Sequence, residues 1–282
     1  MNKRFYSTLR MGAFALAVMT LWACNPDQLA EDPNGVSADI AGHFEELGFD
    51  VSDIEKVPHH HPFTGEFEGD HYLLEGDMLI SEKQMEDMLK SSVHHLGAVG
   101  EQYRTTNLVS APQTITVIGY TGGSYALTSK MQTALSWAID NYNALNTGLN
   151  FTLAYGTNYS SYDIVVYKVS GGAGGSAGFP SGGNPYKWVR INSGTDAYST
   201  NVVEHVITHE IGHCLGLRHT DYFNRSLSCG SGGNEGSAGV GAIHIPNTPT
   251  GFDANSIMLS CFSSSEDGEF GPFDVVALET LY

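Results

Sequence analysis

The chain has 282 residues, 41% of them hydrophobic, which suffices for one domain with a core of fair size and a smaller companion. Its formal charge is -18, with 31 Asp and Glu against 13 Lys and Arg. A balance this acidic argues against nucleic acid or an anionic membrane surface as partner, because their phosphates would be repelled.

Residues 1–23 read as an export signal, with Lys3 and Arg4 ahead of an apolar run from Met11 to Trp22 that is too short to remain as a membrane span. The sequence Leu21-Trp22-Ala23-Cys24 resembles the lipobox of a bacterial lipoprotein, in which a small residue precedes the cysteine that is lipidated. The resemblance implies a membrane tether through a lipid on Cys24. With Asn25 next in line, it implies a place in the cell envelope, at the outer membrane, or secretion after processing. Removing the signal takes away Lys3, Arg4 and Arg10 and leaves ten Lys and Arg against the thirty-one acids. No later segment is apolar enough to cross a bilayer.

Residues 24–110 form a tether and an acidic segment, with eighteen Asp and Glu against four Lys and Arg between Asn25 and Ser110. His59, His60 and His61 lie between Pro58 and Pro62 and are expected in a solvated loop. The stretch from Gln102 to Ser110 is expected to be an exposed junction open to processing.

From Ala111 the pattern changes, and residues 111–282 read as the main domain. Ile115 to Tyr120 alternates as a strand does. Met131, Ala134, Leu135, Ala138, Ile139 and Tyr142 recur at helical steps and predict an amphipathic helix over Leu127 to Leu145. Asn150 to Tyr155, Asp163 to Val169 and Lys187 to Asn192 read as strands. Seven glycines between Gly171 and Gly183 carry no phosphate-loop pattern and are expected as a mobile loop at the rim of a cleft. Thr200 to Leu215 reads as a helix that Gly216 stops. Ser228 to Ala242 is a second glycine-rich loop. Pro272 to Tyr282 reads as a closing helix with Phe273, Val276, Leu278 and Leu281 available for burial.

The central helix carries the pattern H-E-x-x-H-x-x-G-x-x-H at His209, Glu210, His213, Gly216 and His219. Residues four apart share a helix face, so His209 and His213 offer two imidazoles to one ion. A glycine in left-handed conformation turns the chain so that His219 approaches from outside the helix. Three protein ligands with an open fourth position make a catalytic zinc site, and the expected cofactor is one Zn²⁺. Bound zinc brings water close to a neutral pKa, and Glu210 is placed as the general base for hydrolysis of a peptide bond. The substrates are then proteins or peptides. His205, one turn earlier, stands about 5 Å too far along the helix to join and is expected in the core or behind a ligand. The Asp- and Gly-containing loops leave calcium open, although no EF-hand pattern supports it. Cys214 is expected to be buried and turned away from the ligand face. Cys229 and Cys261, in loop-like sequence of an oxidising compartment, are expected to pair.

The motif, together with Ser256-Ile257-Met258, resembles the metzincin clan, whose methionine-bearing turn lies beneath the metal. Met258 matches that methionine, and no tyrosine ligand follows it. Within the clan the chain is similar to the dual-action HEIGH metallo-peptidases. That likeness rests on His209-Glu210-Ile211-Gly212-His213, Gly216 to Asp221, Gly178-Phe179-Pro180 and Lys187-Trp188-Val189. It implies an α+β fold in which a twisted, mostly parallel five-stranded sheet with an antiparallel edge strand packs on the zinc helix and a C-terminal helix. Tyr72 to Leu79 also resembles the prosegment motif of the astacins, in which an aspartate blocks the zinc. Asp77 matches that aspartate, and Asp70 in Phe67-Glu68-Gly69-Asp70 is a second candidate. The implied function is a secreted, lipid-anchored zinc endopeptidase made as a latent proenzyme and expected to be monomeric. A catalytically silent surface-binding lipoprotein on the same scaffold is the alternative reading.

Overall fold

Backbone hydrogen bonding in a computed structural model of the chain follows the alternations and helical stripes of the sequence closely. The structure describes residues 34–91, 102–233, 242–249 and 251–282. The signal, Cys24 and most of the second glycine-rich loop lie outside them. All described residues belong to the compact unit from Glu31 to Tyr282.

The chain opens with α1 (Ala38–Glu46), then β1 (Glu55–His60), β2 (Phe67–Leu74) and β3 (Met78–Ser81), which pair in sequence order as an antiparallel meander, and α2 (Glu82–Ser91). Phe44, Leu47, Phe49, Tyr72, Leu74 and Met85 fill a separate small core between them. One residue from far along the chain, Phe179, completes it. Next comes β4 (Tyr103–Arg104), followed by β5 (Gln113–Tyr120), α3 (Ser129–Ala144), β6 (Leu149–Gly156), β7 (Ile164–Val169), β8 (Gly175–Ser176) and β9 (Trp188–Asn192). The chain then forms α4 (Thr200–Leu215), β10 (Leu217–Arg218), α5 (Ser226–Cys229), β11 (Ile243–His244) and α6 (Pro272–Leu281).

The main sheet has the order β6-β5-β7-β9-β8, parallel except for β8, which pairs antiparallel with β9 at the edge. Strand side chains alternate between faces, so Ile115, Val117, Val166, Val189 and Ile191 point to one side. There they meet the buried stripes of α3 and α4 in the largest core. Thr128 starts α3 by accepting a hydrogen bond from Met131 N, and Ser199 starts α4 in the same way from Val202 N. Helix α4 is buried over nearly its whole circumference, as befits a helix sandwiched between a sheet and other elements. No helix among the described residues is long and apolar enough to cross a membrane.

Several expectations are overturned. His59 is buried in β1 with its ring 4.1 Å from that of His71, because pairing with β2 draws it out of solvent. Gln102, Tyr103, Thr105 and Val109 are buried, since β4 is clamped between β10 and β11, so this stretch is not an exposed junction. The glycine-rich loop does line the cleft, through Ala173, Gly174 and Gly175, but its second half is fixed rather than free, since residues 175–180 are buried and contain the edge strand. On α6 Phe273 is exposed and Asp274 is buried in its place. Cys229 and Cys261 form a disulfide, and Cys214 is free and buried, as expected.

Candidate metal centre

His209 and His213 stand one turn apart on α4 with ring centroids 4.7 Å apart. Gly216 ends the helix at φ 112°, and a β-carbon there would lie 2.6 Å from the Asn107 carbonyl, so both conformation and space call for glycine. Beyond it His219 comes back to 5.3 Å from the His209 ring and 5.1 Å from the His213 ring. His209 Nδ1 donates to the Ile257 carbonyl at 2.9 Å and His213 Nδ1 to the Leu217 carbonyl at 2.8 Å. These bonds fix the tautomer and leave each Nε2 lone pair facing inward, the way metal-ligating histidines are held.

The carbonyls that orient the rings are themselves anchored. Asp274, at the start of α6, accepts from Ile257 N, Gly271 N, the Ser256 hydroxyl and Gln102 Nε2, all within 2.9 Å. Burial pushes its carboxyl up to about 6, against the pull of those hydrogen bonds. Met258, one residue on, packs beneath α4 so closely that a β-carbon on Gly212 would meet its sulfur at 2.5 Å. Thr220 N donates to the Met258 carbonyl at 2.9 Å, tying this turn to the residue after His219. Gln102 and Asp274 were not legible as site residues, since they join this turn from opposite ends of the chain.

Glu210 is buried beside the edge strand, where a β-carbon on Gly175 would come within 2.7 Å of its carboxylate oxygen. Glycine at that position makes room for the carboxylate. Burial, and then the charge of Asp77, push the Glu210 carboxyl well above its ordinary range. His205 is buried one turn away with Nδ1 3.8 Å from Glu266, outside the cluster of ligand atoms.

A fourth group reaches this point from the turn between β2 and β3. Asp77 Oδ2 lies 3.1 Å from His219 Nε2 and 3.5 Å from His209 Nε2, and Oδ1 lies 4.0 Å from His213 Nε2. Burial works to raise this carboxyl, but the His219 charge, the hydrogen bond with His219 and the closeness of the His209 imidazole outweigh it and hold it well below the usual carboxylate range. Glu75, in the left-handed region at φ 57°, turns its side chain the other way. Its carboxylate is 2.6 Å from Arg218 Nη2 and 3.3 Å from His219 Nδ1. Behind β3, Leu79 N donates to the Ala177 carbonyl and Ala177 N to the Asp77 carbonyl, adding this turn to the sheet edge in parallel direction. Asp70, the other candidate, instead pairs with Lys56 at 2.8 Å on the surface.

The ligand atoms of Asp77, His209, His213 and His219 all lie within 4.8 Å of one another. His209 Nε2, His213 Nε2, Asp77 Oδ1 and Glu210 Oε2 are buried without a hydrogen-bond partner. Buried polar atoms rarely go unpaired, and the three that belong to Asp77, His209 and His213 lie in one cluster that fits a cation held among them. Three imidazoles and one carboxylate are a donor set suited to zinc.

The sequence profile of the dual-action HEIGH metallo-peptidases matches residues 72–282. Two solved structures of myroilysin are similar to this chain, each at 16% identity. One has a TM-score of 0.43 and covers 64% of this chain and 98% of its own. The other has a TM-score of 0.40 and covers 63% and 86%. No curated protein matches.

Proposed function

Because this chain belongs to the dual-action HEIGH metallo-peptidase family and is therefore a metallopeptidase, we propose that it is a zinc endopeptidase made as a latent proenzyme. We further assign it to the cell envelope, tethered by a lipid on Cys24. The observation that carries the catalytic reading is the convergence of three oriented imidazoles on one point beside a buried glutamate.

His209, His213 and His219 would hold the ion, which supplies Lewis acidity to water and to the scissile carbonyl. Glu210 takes the proton from the attacking water at its carboxylate and delivers it to the leaving amine. Its buried seat against Gly175 keeps solvent from competing for that proton. The edge segment around Ala177 offers the backbone groups along which a peptide can be aligned.

Latency follows from Asp77, whose carboxylate stands where the attacking water must enter. Residues 34–91 are then the inhibitory segment, and the buried stretch from Gln102 onward belongs with the catalytic part. Export and lipidation rest on residues 1–24 alone, and mass spectrometry of the mature N-terminus tests them.

The decisive experiment is casein cleavage by the processed chain with and without a chelator, beside Glu210→Ala and a metal analysis. Chelation and the substitution should each abolish cleavage, and about one zinc per chain should be found in material with three imidazole ligands. Cleavage that survives the chelator would remove the zinc mechanism.

A further inference from the structure

The face of the main sheet opposite α3 and α4 carries Ile118 and Tyr120 on β5, Val165 and Tyr167 on β7, and Trp188 at the start of β9, by strand alternation from the core residues. The loop between β1 and β2 reaches over this face and sets Phe63 into it. The Phe63 ring stacks on Tyr120 with centroids 3.7 Å apart and planes 14° from parallel. Tyr159 stands at 4.5 Å, Tyr167 at 5.6 Å, Tyr125 at 5.8 Å and Trp188 at 6.0 Å, all tilted or edge-on. One ring face is stacked while the surrounding rings are steeply inclined to it, the pair of geometries that aromatic side chains favour. His61, two residues earlier, lies 3.2 Å from the Tyr159 hydroxyl through Nε2.

All five host rings come from residues beyond 111, whereas Phe63 belongs to the segment read above as leaving on activation. We propose that Tyr120, Tyr125, Tyr159, Tyr167 and Trp188 form a seat for one aromatic side chain. Phe63 fills it in the latent chain, and an aromatic residue of a protein substrate fills it in the processed enzyme. The inference rests on the reading of residues 34–91 as a removable prosegment.

The position of the seat supports a role in holding substrate. Strand β9 runs from Trp188 at the seat to Asn192, which lines the cleft, a span of about 13 Å at the usual rise per residue. A single polypeptide already engages both places, since Phe63 and Asp77 are fourteen positions apart in one chain. A protein substrate is long enough to do the same, and a short peptide bound at the metal is not. The seat therefore acts on the capture of protein substrates and leaves the chemical step alone.

The test begins with zinc-loaded full-length chain carrying Glu210→Ala, so that it does not cut the probe, processed and freed of its prosegment by gel filtration. A synthetic peptide copying residues 58–66 and its Phe63→Ala counterpart are titrated against it while tryptophan emission is followed. The phenylalanine peptide should bind, and the alanine peptide should bind roughly tenfold more weakly, the ratio expected for one well-placed aromatic contact. With Glu210 in place, Tyr159→Ser should raise KM for casein and leave kcat for a short peptide without aromatic residues unchanged. In the unprocessed chain, Phe63→Ala should empty the seat in place, so that N-acetylphenylalaninamide shifts the emission and N-acetylalaninamide does not. Equal binding of the two peptides, no binding of either, or a prosegment fragment that stays on the enzyme through gel filtration would each overturn the proposal. The titrations need no turnover, so an enzyme that proved inactive with zinc would refute the catalytic reading separately.

Discussion

Asp77 meets His219 at 3.1 Å on the Nε2 side of the ring, the side that faces His209 and His213. Removing that carboxylate should unlatch the unprocessed chain. Asp77→Ala should cleave a short quenched peptide before any processing, while Asp70→Ala should be as silent as the parent. Asp70 holds only a surface ion pair with Lys56, which is worth at most about 1 kcal/mol. An Asp77→Ala proenzyme as inert as the parent would assign latency to some other contact.

Gly212 and Met258 are in direct contact, and Gly212→Ala should disturb both stability and metal binding. The methyl group would have to displace a sulfur that is itself fully buried. Overpacking of this kind costs about 1–3 kcal/mol, and the better helix propensity of alanine returns about 1 kcal/mol. Thermal unfolding should show a net loss, and zinc titration of the variant should show weaker binding, because the Ile257 carbonyl that orients His209 moves with Met258.

Glu204 on α4 predicts a pH effect. Burial first, and the neighbouring Glu269 second, push its carboxyl up to about 7, although Asn141 Nδ2 donates to it at 3.0 Å. A carboxyl whose pKa is raised on folding binds its proton more tightly in the folded chain. Its contribution to stability is therefore full below the ordinary glutamate range and lost as pH rises through about 7. Glu204→Gln should thus stabilise the protein at pH 8, by about 1–2 kcal/mol once the open groove beside it is allowed for, and the gain should vanish toward pH 5. Denaturant melts at the two pH values check the sign.

The Cys229–Cys261 bond joins α5 to the segment that supplies Leu259 and Ser260 to the cleft, across a separation of 32 residues. Replacing both cysteines by serine should cost about 2–4 kcal/mol of stability by loosening the constraint on the unfolded chain. Melting should fall accordingly, and a thiol reductant should reproduce the loss in the parent, while Cys214, buried inside α4, should stay unreactive until unfolding.

The elements read most clearly from the sequence were those whose signal is local. The apolar stripe from Met131 to Tyr142 and the alternation from Ile115 to Tyr120 are properties of a few neighbouring residues, and helix and strand follow within one or two positions. The three imidazoles and Glu210 were legible for the same reason, because helical periodicity and one glycine bring them together. Asp77 and Asp70 each follow a Glu-Gly pair, and nothing local separates them. Strand addition at Ala177 selects the first, a contact made across about a hundred residues of sequence. Likewise His59 is buried by β2, and Gln102 meets Asp274 from 172 positions away. On α6 apolar character pointed to Phe273, yet the need to pair the Ile257 and Gly271 amides draws Asp274 inward.

Phe179 belongs by sequence to the glycine-rich stretch before β9 and by packing to the N-terminal core, with its ring 6.2 Å from Phe49 and 5.6 Å from His213. The ribosome delivers residues 34–91 well before this ring exists, so the first core to emerge is a bowl lacking its stopper. Closing it draws the later chain down beside His213, and in that sense the leading segment is a mould on which the wall of the cleft is cast.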